Sequence, residues 1–267
     1  MANISGGIST AKENHSVKEA VLSFITTSPI QQPTDYQSLL DENGKLVGLY
    51  HKFEPVKTVE VKMDMNTATT EYRTQSVSGF KLISFKKGRV CNIIQGLNQP
   101  NMGLFTFNTI EYDRWTEFKA NALKSAKIIS DYNSSYTIRA FSLLFIDEFY
   151  FSEGNLYDPE KLFNVKSQNL PLGIKDSAFV DFNLVMKRTK QDKRYDENLS
   201  IRVFDEKPKK TISIIENITF NVKPISFGKL LETPLFSDYL DFIHSENKSM
   251  LIDILNPEIS NLIGLQQ

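Results

Sequence analysis

The spacing of apolar and polar positions predicts a chain that alternates between strands and amphipathic helices. Residues 17–26 (VKEAVLSFIT) are dense in β-branched and aromatic side chains and predict a strand closed by Ser28 and Pro29. Tyr36, Leu39, Leu40, Leu46, Val47, Tyr50 and Phe53 then fall on a helical stripe that Pro55 ends. Gly44 and Gly48 oppose that helix, each at a cost of about 1 kcal/mol against alanine. Strand patterns follow in series at 57–63, 79–85, 89–97 and 102–110, and Lys86, Lys87 and Gly88 supply a tight hairpin turn between the second and third. From an N-cap at Asp113, the residues Trp115, Phe118, Ala122, Ala126 and Ile129 recur at helical spacing, which predicts an amphipathic helix to about Tyr132.

The segment 135–151 (SYTIRAFSLLFIDEFYF) carries apolar side chains on both faces between Ile138 and Ile146, the pattern of a strand that is central or covered on both sides. A short helical pattern near 158–164 comes next, then strands at about 177–187, 198–205 and 211–222. Phe236, Tyr239, Leu240, Ile243, Met250, Leu251 and Ile254 carry a helix at 236–255 that Pro257 closes.

Laid side by side, both halves run strand, helix, meander, long helix. The order predicts an α+β fold of antiparallel sheets, each covered by a long helix, built as two related β-α-β(3-4)-α halves. The expected layout is a disordered leader at 1–15, a first half at 16–134 and a second at 135–267, together one compact unit. The order resembles the duplicated saddle of TATA-binding-protein-like folds and, less closely, the helix-grip fold. The halves share no detectable sequence identity, so the repeat rests on element order alone, and fold analogy does not transmit function.

Composition narrows the class. With 40% hydrophobic and 24% charged residues the chain is an ordinary globular protein. Lys plus Arg total 31 against 32 Asp plus Glu, so no global field draws it to nucleic acid or to an anionic membrane, and any such binding has to be local. Cys91 is the single cysteine, which excludes an internal disulfide and agrees with a reducing compartment; its strand-like flanks predict a buried, inert thiol. No apolar run of about 20 residues predicts a membrane span, and 1–15 has no signal-peptide core, so a cytoplasmic protein is expected.

Four segments resemble a family of sporadically distributed conserved-hypothetical bacterial proteins of about this length: SVKEAVLSF at 16–24, FTFNTIEYDRWTEF at 105–118, TIRAFSLLFIDEF at 137–149 and DFIHSENKSMLIDIL at 241–255. The third has an arginine, Arg139, an apolar run to Ile146 and a short polar close at Asp147 and Glu148, which stand where the family pattern has Asn-Arg. The resemblance implies a cytoplasmic bacterial protein and adds no catalytic residue or cofactor. Its sporadic distribution suits a defence or toxin-antitoxin setting, with a protein partner from the same operon.

The chemistry-bearing residues form no catalytic constellation. His15, His51 and His244 are far apart in sequence, outside any metal-binding motif, and read as exposed or capping histidines. No phosphate-cradling glycine loop and no nucleophile elbow is present. Glu60 and Lys62, with Asp64 or Asp41 near in sequence, echo a metal-dependent nuclease, though such triplets usually mark the solvent face of a strand. Asp147 and Glu148 close the double-faced strand, with Arg139 and Lys187 as candidate charge partners; the expected role is a structural ion pair or a solvated strand end, and the alternative is a functional carboxylate shifted by burial and neighbours. Basic residues gather at Lys187, Arg188, Lys190, Lys193 and Arg194 and again at 207–210, on turns at opposite ends of the expected meander; the first group is the candidate nucleic-acid contact. Aromatic stacking partners there are limited to Tyr195. The aromatic excess of 19 Phe and 10 Tyr fits a core, a pocket or a partner surface alike. The leading expectation is therefore a non-enzymatic interaction protein without metal or cofactor, with a nucleic-acid-binding module and a metal-dependent nuclease as alternatives.

Overall fold

The computed structural model describes residues 3–5, 7–12, 15–64, 69–152, 158–171, 174, 182–190, 195–206 and 209–265. Its strands are β1 (Asn3–Ser5), β2 (Ile8–Thr10), β3 (Val17–Thr26), β4 (Lys52–Asp64), β5 (Thr69–Lys86), β6 (Arg89–Gln99), β7 (Met102–Thr109), β8 (Thr137–Ser152), β9 (Phe182–Lys190), β10 (Tyr195–Glu206) and β11 (Lys209–Ser226). The α-helices are α1 (Trp115–Tyr132), α2 (Pro159–Leu162), α3 (Phe227–Glu232), α4 (Pro234–Ile254) and α5 (Pro257–Leu262).

The expected saddle of separately covered sheets is overturned, as is the helix-grip alternative: the protein is predominantly antiparallel sheet, in one piece. Strands run β4-β5-β6-β7-β3-β8-β11-β10-β9, with β2 pairing beside β8 and β1 on β2. The join that element order could not reveal is the antiparallel pairing of β3 with β8, in register from Glu19↔Ile146 through Ile25↔Ala140. It zips the two meanders together at their apolar central strands, leaving no edge between the halves. Ile8–Thr10, within the segment read as a leader, pairs with Phe149–Phe151 of β8 and continues the sheet where β3 stops.

Alternation then sorts the side chains. Ala20, Leu22 and Phe24 of β3, Phe105 and Phe107 of β7, and Phe141, Leu143 and Phe145 of β8 share one face and form a buried cluster with Phe118, Ala122, Ala126 and Ile129 of α1 and Phe236, Leu240 and Ile243 of α4. A second cluster on the same face joins Phe149, Leu199, Ile201, Ile212 and Ile214 to Leu162 of α2, Leu251 and Ile254 of α4 and Ile259 of α5. Helices from both halves therefore share one side of a common sheet.

Local chemistry explains the details. The β5–β6 turn closes on the Lys86↔Arg89 pair, with Lys87 and Gly88 both at positive φ (50° and 76°), the backbone that a two-residue hairpin requires. The helical stripe expected from Tyr36 to Phe53 forms only as a 3-10 helix, Pro33–Leu40, followed by turns. Tyr36, Leu39 and Leu46 are buried as the spacing required, but Gly44 packs so close to the Leu39 carbonyl that a Cβ there would lie 2.3 Å from it. No described helix is long and apolar enough to cross a membrane.

Candidate interaction face

With the described helices on one side, the register defines what the other side presents. One row crosses nine strands: Glu54, Lys81, Gln95, Thr106, Ser23, Ser142, Thr219, Asp196 and Thr189, each opposite the next. Every member is polar, and none contributes to either hydrophobic cluster. The adjacent row, Lys52, Ile83, Ile93, Asn108, Val21, Leu144, Asn217, Asn198 and Lys187, mixes apolar centres with polar flanks. Crowding on this face hides polar atoms without pairing them: among the described residues Thr106 Oγ1, Asn108 Oδ1, Asn198 Oδ1, Ser200 Oγ, Thr211 Oγ1 and Asn217 Oδ1 have no hydrogen-bond partner. A buried group left so costs about 1–3 kcal/mol, which makes this face receptive to a surface that supplies complementary groups.

Asp147 and Glu148 do not close the strand, since β8 runs on to Ser152, and they part company because neighbours on a strand point to opposite faces. Glu148 lies on the open face, where Lys18 reaches it at 2.6 Å and the Tyr150 hydroxyl donates to its other oxygen. The structural ion pair expected there forms with Lys18, not with Arg139 or Lys187. Arg139 instead points a guanidinium nitrogen at the Met102 sulfur, 3.0 Å away. Asp147 faces the helices, 1% exposed, with the Ser16 hydroxyl donating to it at 2.6 Å. Burial pushes its carboxyl up to about 7, against the lowering pull of that hydrogen bond.

Beside Asp147 on the helix-covered face lie Glu216 of β11 and Glu197 of β10, 3% and 4% exposed. Asn247 of α4 donates to Glu216 at 2.7 Å, and Arg188 donates to Glu197 at 2.5 Å. Burial holds the Glu216 carboxyl well above the usual carboxylate range, and the neighbouring Glu197 and Asp147 raise it further. No periodicity in the sequence marked Glu197 and Glu216, since their juxtaposition depends on the long-range register of β10 with β11.

The expected basic tip is distributed rather than gathered. Lys187 projects from the open face, Arg188 is spent on Glu197 and Asn169 beneath the helix side, and Lys190 ends β9; Lys193 and Arg194 lie outside the described residues. The Lys190↔Tyr195 and Glu206↔Lys209 pairs lie at opposite ends of β10. Glu60 and Lys62 sit on β4, with their side chains outside the described set, and among the described residues no group of three or more His, Cys, Asp or Glu is placed to hold a metal ion. His15 and His244 depart from the exposed or capping role: His244 is half-buried and stacked on Trp115, ring centroids 4.5 Å apart and 4° from parallel, and His15 meets Tyr112 edge-on at 5.6 Å, whereas His51 is exposed, its Nδ1 accepting from the Phe85 amide. Cys91 is buried, its thiol directed at Ser84. Compared with known proteins, the chain matches no family model and no curated protein.

Proposed function

We propose that the chain is a non-enzymatic interaction protein that holds a protein partner against the open face of its sheet. The observation that carries this reading is the unbroken polar row from Glu54 to Thr189, flanked by hidden polar atoms that lack partners among the described residues. Charges of both signs, Lys81 and Lys187 against Glu54 and Asp196, are dispersed across the face, which suits a protein surface. Single-stranded nucleic acid calls instead for a positive groove with stacking aromatics. An accessory role beside a partner encoded in the same bacterial operon, as the family resemblance implies, belongs to the same proposal.

The test is purification of the tagged chain from its native cell, with and without nuclease, beside the double variant Ser23→Arg, Thr219→Arg. Both substitutions place long cations on the open face, away from the core. A stoichiometric protein that survives nuclease on the wild type and is lost from a normally folded variant is the expected result. Recovery of the chain alone, or equal retention by the variant, overturns the proposal; nucleic acid alone would transfer the function to the basic run at 187–194.

A further inference from the structure

On the opposite side of the sheet, five separated pieces of chain enclose a cleft of about 520 Å³: residues 15–17, 112–115, Phe145 and Asp147 within β8, the middle of α4 and the turn at 263–265. That volume lies within the range of small-molecule sites, roughly 300–1,000 Å³. Asp147 lies at its floor. Among the described residues no lysine or arginine pairs with this carboxylate, and its one polar side-chain contact is the Ser16 hydroxyl. A buried carboxylate without a counter-charge is costly, and a positive ligand would supply what the chain does not.

The walls supply the second half of the argument. Phe145 lies 6.0 Å from Tyr112, 6.2 Å from Trp115 and 5.9 Å from His244, centroid to centroid, so four rings meet around the space above Asp147. Aromatic faces attract cations through their quadrupoles, and a desolvated ring set beside a carboxylate is the arrangement that recognises ammonium groups. We infer that this cleft binds a small free organic cation, an amine or quaternary ammonium, with Asp147 as counter-ion and the rings of Tyr112, Trp115 and Phe145 as its cage.

The charges facing the cleft are accounted for from each element. From the β7–α1 connection come Asp113 and Arg114, both strongly exposed and 3.9 Å apart, which offset each other at the mouth. From α4 come Lys248, whose charge opposes a cation, and His244, which burial, then Lys248, hold down to about 4, so that it is neutral near pH 7. His15 is likewise held low, by burial first and Lys12 second. Glu216 lies beyond Asn247, and its carboxyl is raised by burial first and further by Glu197 and Asp147. Asp147 is the buried carboxylate of the cleft lining, and with its carboxyl at about 7 affinity falls roughly tenfold for each pH unit below about 7.

Trp115 is the only tryptophan in the chain, so its emission reports on this cleft alone. Wild-type protein is titrated with choline, with its uncharged isostere 3,3-dimethylbutan-1-ol and with acetate, at pH 8 and pH 5. Expected are a saturable change with choline at pH 8, at least a tenfold weaker response to the isostere, and roughly hundredfold weaker choline binding at pH 5. Asp147→Asn should fold, weaken choline binding at least tenfold and abolish its pH dependence, whereas Lys248→Ala should tighten it several-fold. No saturable response to choline up to about 10 mM, equal responses of wild type and Asp147→Asn, or a response to acetate that Lys248→Ala removes would overturn the assignment. The cleft and the open face lie on opposite sides of the sheet, so either reading can fail without the other.

Discussion

Asp147 gives the sharpest quantitative expectation, because replacing it with asparagine removes a charge and almost no volume. Its carboxyl moves from 3.8 to about 7 on folding, chiefly through burial. Since the folded-state value lies above the unfolded one, the stability contributed by its proton is whole below pH 4 and is lost as pH rises through 7. At about 1.4 kcal/mol per unit, a rise of about three units makes the ionised form cost on the order of 4 kcal/mol above neutrality. Asp147→Asn escapes that cost while its side-chain oxygen still accepts from Ser16. The variant should therefore match the wild type near pH 4 and exceed it by up to about 4 kcal/mol at pH 8, or about 10 °C in Tm for a chain of this size. Paired thermal or urea unfolding at half-unit steps from pH 4 to 8 measures the difference directly; groups that do not sense Asp147 cancel in it, and Glu216, which Asp147 helps to raise, adds to it. A difference that stays flat with pH, or a variant less stable than wild type at pH 8, would refute the burial argument.

His244 should show the reverse slope: burial and Lys248 depress it to about 4 from 6.5, so the stability it contributes is whole above pH 6.5 and is lost as pH falls through 4, and His244→Gln should flatten the acid limb of unfolding by on the order of 2 kcal/mol. Arg188→Ala leaves Glu197 buried without its cation and should cost about 3 kcal/mol, against less than about 0.5 kcal/mol for the exposed Lys187→Ala, as measured by urea denaturation. Cys91 should react with a thiol reagent at a rate that tracks global unfolding under increasing denaturant; fast modification of the native protein would contradict its burial.

Sequence reading succeeded where the deciding physics is local. The alternation in 79–97, broken by Lys87 and Gly88, foretold the β5–β6 hairpin, and the spacing of Phe118, Ala122, Ala126 and Ile129 foretold the buried stripe of α1. The apolar run from Ile138 to Ile146 marked β8 as central, and it pairs with β3 on one side and β11 on the other. What was hidden is non-local. Two meanders of similar order look like two sheets until β3 is seen to pair with β8, and no period in either strand encodes its partner. The same limit concealed the site: Asp147 and Glu148 are adjacent in sequence, and only the pairing of β8 decides which faces the helices. The polar row emerges solely from stacking eight registers across nine strands, although Ser23, Thr106, Ser142 and Thr219 each sit at an ordinary alternating position.

The buried polar groups also bear on why the helix-covered face holds two hydrophobic clusters instead of one. Asp147, Glu216 and Asn247 lie between residues that belong to separate clusters, with Phe145 and Ile218 on one side and Phe149, Ile214 and Leu251 on the other. Apolar residues of similar volume at these places would be expected to merge the clusters and gain stability, as replacement of buried charges commonly does. Retaining them is a cost that packing alone does not justify, and such costs concentrate where binding requires charge. The opposed titrations of Asp147 and His244 sharpen the point: between pH 4 and 7 one loses stability as the other gains it, so the wild type can look insensitive to pH while each single variant does not. A ligand that neutralises Asp147 would disturb that balance, raising stability above pH 7 and leaving it unchanged at pH 4. Unfolding of wild-type protein with saturating choline at those two pH values thus links the stability argument to the proposed site, and a gain equal at both would separate them.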